Sequence, residues 1–340
     1  MTDRLVIVHG LYPKKLFGAA RYLIDLAKLQ SEAGHEVHVI GCPEAEMTRA
    51  FVPAVTVHEL GFLRRTFGLR KVMTQLKPDI LHGHLGRASK AFGRMWKRPA
   101  AVATMHVGYK AHQFRGLDGL IALHKQSEAQ AASFNGPVTR IWNWAPALPP
   151  VDPDARAKVR AELGIPEDGF IVGFLGRLHP AKNPDMLVRA FRAAAGSNTW
   201  LVMAGEGDLR PVVEAAAAGA DNIRLIGYRT DVTRLYQAYD LLAFPSREEQ
   251  MPMVLLEAMA AGLPIAASRI DGPAEFLPEP EAVLFETEDE AALTKILREQ
   301  FALGQRRQKY DMTPFDPKGQ SDKIEAFYRL VLSQRSTQKK

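Results

Sequence analysis

Residues 240–268, DLLAFPSREEQMPMVLLEAMAAGLPIAAS, have the pattern of a strand, a helix and a second strand. The apolar runs at 240–245 and 265–267 have the length of buried strands. Between them a helix is predicted over 252–261, because proline fits the first helical turn and Gly262, with a proline two residues later, favours a stop. The order strand, helix, strand is the signature of a parallel sheet.

Two acidic residues stand in this segment, Glu249 in the loop and Glu257 on the helix, with seven residues between them. The helix is apolar almost all round, which predicts burial, and a buried carboxylate is rarely left without a partner. The helix N-terminus offers free N–H groups and the positive end of the helix dipole. Together these features favour an anionic ligand that carries hydroxyls and phosphate. A structural role, in which Glu257 pairs with an arginine or caps a loop, fits the helix equally well.

The same alternation of strands and helices extends over the whole chain, and 340 residues is the length of two domains. We therefore predict an α/β protein with two parallel sheets. Strands are predicted near 5–9, 36–40, 55–58, 79–82, 101–105, 119–122 and 138–142, and then near 170–175, 199–204, 223–226, 240–245, 265–267 and 282–285. The glycines after the first strand, Gly10 and Gly18, are too far apart for the dinucleotide fingerprint, so NAD binding is disfavoured.

A proline-rich stretch, WAPALPPVDPD, separates the two sets of strands, and prolines favour extended chain. We predict a first domain at 1–147, a linker at 148–156 and a second domain at 157–320. The remaining segment, 321–340, is predicted to be a helix with a basic tail that packs back toward the first domain.

The net charge of +6 is unevenly distributed. Residues 1–150 hold 20 Lys and Arg against 10 Asp and Glu, whereas residues 151–340 hold 24 against 28. A basic half suits an anionic partner such as a membrane surface or an acidic glycan. The single cysteine, Cys42, excludes an intramolecular disulfide and favours a reducing compartment. No run of about 18 apolar residues is present, so a soluble or peripheral cytoplasmic protein is expected.

Two further stretches follow predicted strands of the second domain, and in open parallel sheets ligands bind at the carboxyl ends of the strands. GRLHPAKN at 176–183 places Arg177 and Lys182 at this edge, where both cations could reach a diphosphate. The alternative is two solvated surface cations. Gly205-Glu206-Gly207 follows the next strand, where small residues let backbone approach a ligand, although such pairs are also common in turns.

Histidines raise the question of a metal site in the first domain. His82 and His84 would share one face of a strand, and His106 follows the strand after that. No Cys, Asp or Glu completes a ligand set nearby, so we predict no metal. His106 could instead contact a ligand at the sheet edge, or be a buried, satisfied histidine.

The segment RASKAFGRMWKR at 87–98 has helical spacing and combines five cations with Phe92, Met95 and Trp96. Such a face suits an anionic bilayer, and a merely solvated face fits as well. Nucleic acid is a weaker interpretation, because no nucleic-acid-binding motif is visible.

Taken together, the motifs resemble the family 4 glycosyltransferases, which are retaining enzymes of the GT-B fold. The acid pair with seven residues between its members, followed by EAMAAGLP, is the most specific motif. GRLHPAKN, AGEGDLR and PSREEQMP occur in the expected order. The resemblance covers nearly the whole chain and implies two Rossmann-like domains that face each other across a cleft.

The resemblance also implies roles for individual residues. Arg177 and Lys182 match the pair that binds the diphosphate of the donor, and Glu257 matches the acid that holds the ribose. The residues expected to face the donor sugar are Glu249, Gln250, Met251, Pro252 and Met253.

Further residues follow from the same resemblance. Tyr228 and Arg229 follow a strand where the family usually contacts the nucleobase. In the first domain, His106 matches a histidine near the reaction centre, and Gly18 matches the glycine loop over the phosphates. The residues expected to take part in the chemistry are His106, Arg177, Lys182 and Glu249.

Three stretches depart from the family pattern. The first loop, which the family uses to contact phosphate, reads FGAAR, in which Phe17 and Ala20 replace a glycine and a glutamate. QMPM follows Glu249 where Gly-Phe-Gly is commoner, which suggests a different donor sugar. IWNWAP stands where many members have an Asn-Gly-Val-Asp turn.

The implied reaction moves a sugar from a nucleotide sugar to a hydroxyl, with retained anomeric configuration and without a metal or other cofactor. The expected acceptor is an anionic bacterial surface glycan, such as a lipopolysaccharide core, a capsule or a lipid-linked precursor, at the inner face of the membrane. Two alternatives remain: a nucleotide-sugar epimerase of the same fold, and a non-catalytic module that binds nucleotide sugars or glycans.

Overall fold

Two parallel sheets form the two units of the chain. The computed structural model describes residues 4–12, 18–43, 49–60, 65–145 and 154–337, and the side chains of 65–67 are not described. Contacts group Met1–Trp144 with Phe315–Lys340 as unit 1, and Ala145–Pro314 as unit 2. The α/β prediction with two parallel sheets is confirmed.

Unit 1 is built on a seven-stranded sheet in the order β3-β2-β1-β4-β5-β6-β7, with every pair parallel. The strands are β1 Val6–Gly10, β2 Glu36–Gly41, β3 Thr56–Glu59, β4 Ile80–His84, β5 Ala100–Thr104, β6 Gly119–Ala122 and β7 Val138–Arg140. The central strands β1, β4 and β5 are buried along nearly their whole length, and apolar residues predominate on both of their faces. The exceptions are the buried histidines His9 on β1 and His82 and His84 on β4. The strand order reverses between β1 and β4, and ligands of open parallel sheets bind at such a point.

Six α-helices lie in the described part of unit 1. They are α1 Gly18–Glu32, α2 Arg65–Leu76, α3 Leu85–Gly93, α4 Ala111–Phe114, α5 Lys125–Gln130 and α13 Pro317–Thr337. The last of these packs against α1 and β5. Its buried Ile324, Phe327 and Tyr328 join the core with Leu5 and Tyr22. The final helix of the chain thus packs on the sheet that begins with β1.

Unit 2 contains a six-stranded parallel sheet in the order β10-β9-β8-β11-β12-β13. The strands are β8 Phe170–Leu175, β9 Thr199–Ala204, β10 Ile223–Gly227, β11 Leu241–Phe244, β12 Ile265–Ser268 and β13 Ala282–Phe285. The helices are α6 Ala155–Leu163, α7 Pro184–Ala194, α8 Arg210–Ala217, α9 Val232–Ala238, α10 Met253–Ala260, α11 Asp271–Phe276 and α12 Glu290–Leu303. The order reverses between β8 and β11, so the loops after these two strands adjoin.

A buried ion pair fixes the start of β11. Asp240 accepts hydrogen bonds from Arg156 at 2.8 Å, from Arg160 at 2.7 Å and from the N–H of Ile171 at 2.8 Å. Asp240 and Arg160 are almost fully buried, so each charge depends on the other to offset its lost hydration. The acid that opens the decisive sequence segment therefore has a structural partner.

Two predicted segments differ from the structure. The basic helix predicted over 87–98 ends at Gly93, and Phe92 is buried in the core. Arg98 lies beyond the end of this helix, and its guanidinium pairs with Asp118. The predicted linker at 148–156 lies mostly outside the described residues, and its last two residues are the start of α6. Among the described residues, no helix combines the length and apolarity needed to cross a membrane.

Candidate functional site

The loop after β8 is anchored by its own backbone. Gly176 N–H donates to the carbonyl of Ala204 at 3.0 Å, and Leu178 N–H donates to that of Glu206 at 3.0 Å. A single 3-10 turn, Pro180–Lys182, follows, and the His179 ring accepts the N–H of Ala181 at 3.2 Å to cap it. The sequence GRLHPAK thus places Lys182 at the carboxyl edge of the second sheet.

Lys182 and Glu249 form an ion pair between the loops that follow β8 and β11. The Lys182 ammonium also lies 5.5 Å from the centre of the Phe244 ring. Burial, together with the nearby guanidinium of Arg177, lowers the pKa of Lys182 to about 8. The structure therefore brings together three of the residues predicted for the chemistry, Arg177, Lys182 and Glu249.

Gly205 lies where β9 ends beside this loop. Its φ of +148° is a conformation that residues with a side chain rarely adopt, and a Cβ there would overlap the carbonyl oxygen of Gly176. Its N–H donates to the carbonyl of Gly227 at 2.8 Å. A glycine is required for the chain to approach this closely after β8 and β9. Gly205 therefore allows the two loops at this edge of the sheet to pack together.

The loop that carries Glu249 is held by two residues that the sequence analysis missed. Arg247 N–H donates to the carbonyl of Ala181 at 2.8 Å, and its guanidinium contacts the carbonyl of Pro180. On the other side, Gly272 of α11 packs so closely that a Cβ would overlap the carbonyl of Gln250. A glycine followed by proline at the start of a short helix was the available signal for this close approach.

Glu257 is buried on α10, as the apolar helix predicted, and is only 5% exposed. Its Oε2 accepts the hydroxyl of Tyr236 at 2.5 Å. The N-terminus of α10 begins after Pro252 without a side-chain cap, next to the loop residues Gln250 and Met251. The predicted donor-binding residues 249–253 and Glu257 therefore belong to one loop-and-helix unit at the same sheet edge.

Tyr228 and Arg229 differ in their surroundings. Tyr228 is 58% exposed at the end of β10. Arg229 is bound by Asp231 through two contacts of 2.8 Å and by Glu162 at 2.5 Å. These carboxylates raise the pKa of Arg229 above its ordinary value, chiefly through the hydrogen bonds to Asp231. The ring of Tyr228 is thus exposed, whereas the guanidinium of Arg229 is bound by carboxylates. The exposed ring is compatible with the predicted nucleobase contact through Tyr228.

The remaining two predicted site residues lie in unit 1. Gly18 is the first residue of α1, and Phe17 with the four residues before it lies outside the described residues. His106 follows β5, and its Nε2 lies 3.1 Å from Nδ1 of His84. Burial lowers the pKa of His106 to about 3, so its imidazole is neutral at physiological pH.

A cavity of about 430 Å³ opens at the carboxyl ends of the unit 1 strands. It is lined by Tyr12, His84, Leu85, Gly86, Arg87, Lys90, Val107, His112 and Gln113. Two of these, Leu85 and Gly86, are the first residues of α3, whose N-terminus has no side-chain cap. No carboxylate among the described residues pairs with Arg87 or Lys90, so the cavity has a net positive wall suited to an anion.

Family models match almost the entire chain. The model described as "Glycosyltransferase Family 4" matches residues 18–172, and the model described as "Glycosyl transferases group 1" matches residues 155–312. The two matches overlap over residues 155–172, at the start of unit 2.

Individual relatives agree with these models. A D-inositol 3-phosphate glycosyltransferase of Salinispora arenicola is 38% identical over 134 residues, which is 35% of this chain and 30% of the relative. The chain thus matches about a third of the length of such relatives. A lipopolysaccharide core biosynthesis glycosyltransferase, LpsD of Rhizobium meliloti, is 26% identical over 303 residues, covering 83% of this chain and 84% of that protein.

Solved structures share the fold over nearly the full length. Anabaena Alr3699/HepE in complex with UDP-glucose superimposes with a TM-score of 0.76 at 18% identity, covering 98% of this chain and 100% of that one. WaaG, a glycosyltransferase involved in lipopolysaccharide biosynthesis, gives a TM-score of 0.70 at 18% identity over 95% of both chains. The predicted GT-B fold is thereby confirmed.

Proposed function

We propose a donor, an acceptor and a stereochemical course for this chain, which belongs to the glycosyltransferases described by the group 1 and family 4 models. It transfers a sugar from a nucleoside diphosphate sugar to a hydroxyl of an anionic bacterial surface glycan and retains the anomeric configuration. The observation that carries this proposal is the meeting of Arg177, Lys182 and Glu249 at one sheet edge.

The donor side follows from charge. When the sugar leaves, negative charge develops on the diphosphate, and cations already in place stabilise it without reorganisation. Arg177 and Lys182 are such cations, and Lys182 is held by Glu249 rather than moving freely in solvent. Glu257, fixed by Tyr236, offers a carboxylate to the ribose hydroxyls. The solved neighbour in complex with UDP-glucose supports a nucleotide sugar as donor.

The proposed stereochemical course rests on the contacts that Glu249 and Glu257 already make. A double displacement needs a free carboxylate close to the anomeric carbon. Glu249 is engaged in its ion pair with Lys182, and Glu257 is buried against Tyr236. We therefore propose that the acceptor hydroxyl attacks on the face that the diphosphate leaves, with a phosphate oxygen taking the proton. The two cations supply the charge stabilisation, so no metal or other cofactor is part of this proposal.

The acceptor side follows from the unit 1 cavity. Arg87, Lys90 and the N-terminus of α3 line it with positive charge and N–H donors. An acceptor that carries phosphate or carboxylate groups fits such a wall. The relative LpsD, which is named for lipopolysaccharide core biosynthesis, supports a lipopolysaccharide core or a related surface glycan as this acceptor.

An exposed turn after α3 supports peripheral binding to an anionic membrane at its cytoplasmic face. Trp96 is 82% exposed, and Arg94 and Lys97 beside it are exposed too. An aromatic ring between cations suits the interface of a bilayer with anionic lipids. Flotation with anionic vesicles tests this: the unaltered protein should float at low salt, and Trp96→Ser should not. Equal flotation of both would contradict the proposal.

Calorimetric titration with UDP, GDP, ADP and CMP tests the donor proposal. Binding of one nucleoside diphosphate is expected, and Glu257→Ala should abolish it. Glu248→Gln is the matched control, because Glu248 is an exposed acid of the same loop. Turnover of donor without acceptor would favour an epimerase, and nucleotide binding without any turnover across an acceptor screen would favour a non-catalytic module.

Variants of residues that line the unit 1 cavity test the proposed acceptor site. Arg87→Ala and Lys90→Ala should raise the KM for an anionic acceptor and leave nucleotide affinity unchanged, because both residues line the cavity of unit 1. Lys71→Ala, an exposed lysine on α2 outside the cavity, serves as the control. An unchanged acceptor KM in both cavity variants would contradict this assignment.

A further inference from the structure

An unbroken chain of hydrogen bonds connects His106 to the interior of unit 1. Nε2 of His106 lies 3.1 Å from Nδ1 of His84, and Nε2 of His84 lies 3.0 Å from Nδ1 of His9. Nε2 of His9 lies 2.7 Å from Oε1 of Gln30 on α1. The three histidines meet because they stand at the carboxyl ends of β5, β4 and β1, which are neighbours in the sheet.

The histidines in this chain are neutral. Burial lowers the pKa of His9 to about 4 and that of His84 well below its ordinary value. Each neutral imidazole carries one N–H and one lone pair. Every ring between two partners must therefore donate at one nitrogen and accept at the other, so all bonds of the chain run in the same direction.

Gln30 sets that direction. Its carbonyl oxygen faces His9, which makes Nε2 of His9 the donor and leaves Nδ1 to accept from His84. By the same rule, Nδ1 of His84 accepts from Nε2–H of His106. The lone pair at the end of the chain then lies on Nδ1 of His106.

The other end of the same amide is fixed by the last helix. Gln30 Nε2 donates to the hydroxyl of Tyr328 at 3.2 Å, and this hydroxyl lies 2.6 Å from Nδ1 of His82. Nε2 of His82 lies 2.8 Å from Oγ1 of Thr104. Rotation of the amide by half a turn would reverse both arms together, so a measured tautomer at either arm reports the orientation of Gln30.

We propose that Gln30, His9 and His84 are positioning residues that fix His106 as the Nε2–H tautomer and present its Nδ1 to accept a hydrogen bond from a sugar hydroxyl. The part that concerns the sugar rests on the proposed function; the part that concerns the tautomer stands on the contacts alone. The acceptor nitrogen of His106 would then orient a sugar hydroxyl without taking up a full proton.

A metal ion is the competing explanation of the cluster. Nitrogens of His9, His82 and His84 lie within 4.8 Å of one another. Each ring nitrogen of these three residues, however, already has a hydrogen-bond partner within 3.1 Å. Binding of a metal would break the chain at two or more points, and the two explanations therefore give opposite results when zinc is added.

Nitrogen-15 NMR of the histidine rings in the full chain tests the tautomer without any substrate. At pH 7, Nδ1 of His106 should show the pyridine type of shift and Nε2 the pyrrole type. Gln30→Met, which keeps the volume but removes the amide, should leave His106 as a mixture of tautomers. Gln30→Glu keeps an oxygen facing His9, so His106 should keep its tautomer while His82 reverses.

His35→Gln is the control, because His35 is also buried and contacts Glu325 of α13 but lies outside the chain. It should leave the signals of His106 unchanged. An Nδ1–H tautomer of His106 in the unaltered protein would overturn the proposal. A change in the ring-nitrogen signals of His9, His82 and His84 on addition of one equivalent of zinc would overturn it too. Should Gln30→Met fail to fold, the tautomer in the unaltered protein still decides.

Kinetics test the role in the reaction. Gln30→Met should lower kcat about tenfold with unchanged nucleotide affinity, since one oriented hydrogen bond is lost. Gln30→Glu should recover part of that loss, which a merely structural role would not predict. An unchanged kcat in Gln30→Met would overturn the catalytic part. Absence of turnover in the unaltered protein would overturn the proposed function, while the NMR result would still decide the tautomer.

Discussion

The hydroxyl of Tyr236 on α9 lies 2.5 Å from Oε2 of Glu257 on α10. A neutral donor at this distance holds one oxygen of the carboxylate. Because the carboxylate is planar, the direction of its other oxygen is then fixed as well. The hydroxyl of Tyr236 thus holds this carboxylate on the buried, apolar helix α10.

Tyr236→Phe should weaken binding of the nucleoside diphosphate about three- to tenfold, because the carboxylate loses a fixed orientation worth about 1 kcal/mol. Titration calorimetry measures the change. Tyr310→Phe is the matched control, since the Tyr310 hydroxyl donates to the carbonyl of Leu263 at 2.8 Å in the same unit. Both variants should lose stability, and only Tyr236→Phe should lose affinity. Equal affinity in the two variants would argue against a role for Glu257 in binding.

Lys182→Ala should lower kcat by a factor on the order of 10² to 10³, the usual effect of removing one group that stabilises developing charge. The protein should remain folded, because Lys182 contributes to the loop edge and not to the core. Circular dichroism and steady-state kinetics measure the two properties. Lys295→Ala, an exposed lysine on α12, is the control. Turnover near that of the unaltered protein would contradict the assignment of Lys182.

The pH dependence of kcat/KM for the donor should follow the same lysine. Its pKa of about 8 means that the ammonium is present below this pH and is lost above it. Since the cationic form binds the diphosphate, kcat/KM should fall as the pH rises through about 8. Lys182→Arg should remove this decline, because an arginine stays charged, although its different shape lowers the overall rate. A decline that persists unchanged in Lys182→Arg would assign the pKa to another group.

The sequence predicted the strands well for a physical reason. Strands buried on both faces are short apolar runs, and β8, β9, β6 and β13 begin and end at the predicted residues. The end of α3 was harder to predict, because spacing alone continues past Gly93 and the chain turns there through contacts with a distant segment. A Cβ on Gly93 would overlap the carbonyl of Arg115, which no local pattern reveals.

The residues of the candidate site likewise fall into those that the sequence predicts and those that only the fold reveals. The sequence predicts Arg177, Lys182, Glu249 and Glu257 as candidate site residues because strand ends and motif spacing locate them. Gln30 and Tyr328 were missed because they are 298 residues apart in the sequence, and their roles exist only where the fold brings them together. Side chains whose function is to orient another side chain carry no spacing signal of their own.

Gly272→Ala should raise the KM for the donor severalfold, because the new methyl group would displace the carbonyl of Gln250 and with it the loop of Glu249. Its backbone is not in the left-handed region, so the effect is one of space and not of backbone strain. Gly196→Ala is the control, since a Cβ there meets nothing within 4 Å. Steady-state kinetics with varied donor give the comparison, and equal KM values for the two variants would show that the loop position is unimportant.

Acid should destabilise unit 1 selectively through its buried histidines. The pKa of His9 is about 4 in the folded protein against 6.5 in the unfolded chain, so between these two pH values the unfolded chain takes up the proton and the folded protein largely does not. Stability is therefore full above about pH 6.5 and falls as the pH drops toward 4, by about 2 kcal/mol per such histidine at pH 5. The pKa values of His84 and His106 are lowered as well.

Unit 2 contains one histidine, His179, and serves as an internal control. Hydrogen exchange followed by mass spectrometry should show faster opening of β1 and β4 at pH 5 than at pH 7, after correction for intrinsic exchange, with β8 and β9 much less affected. Equal acceleration in both units would mean that the histidines are hydrated and titrate normally.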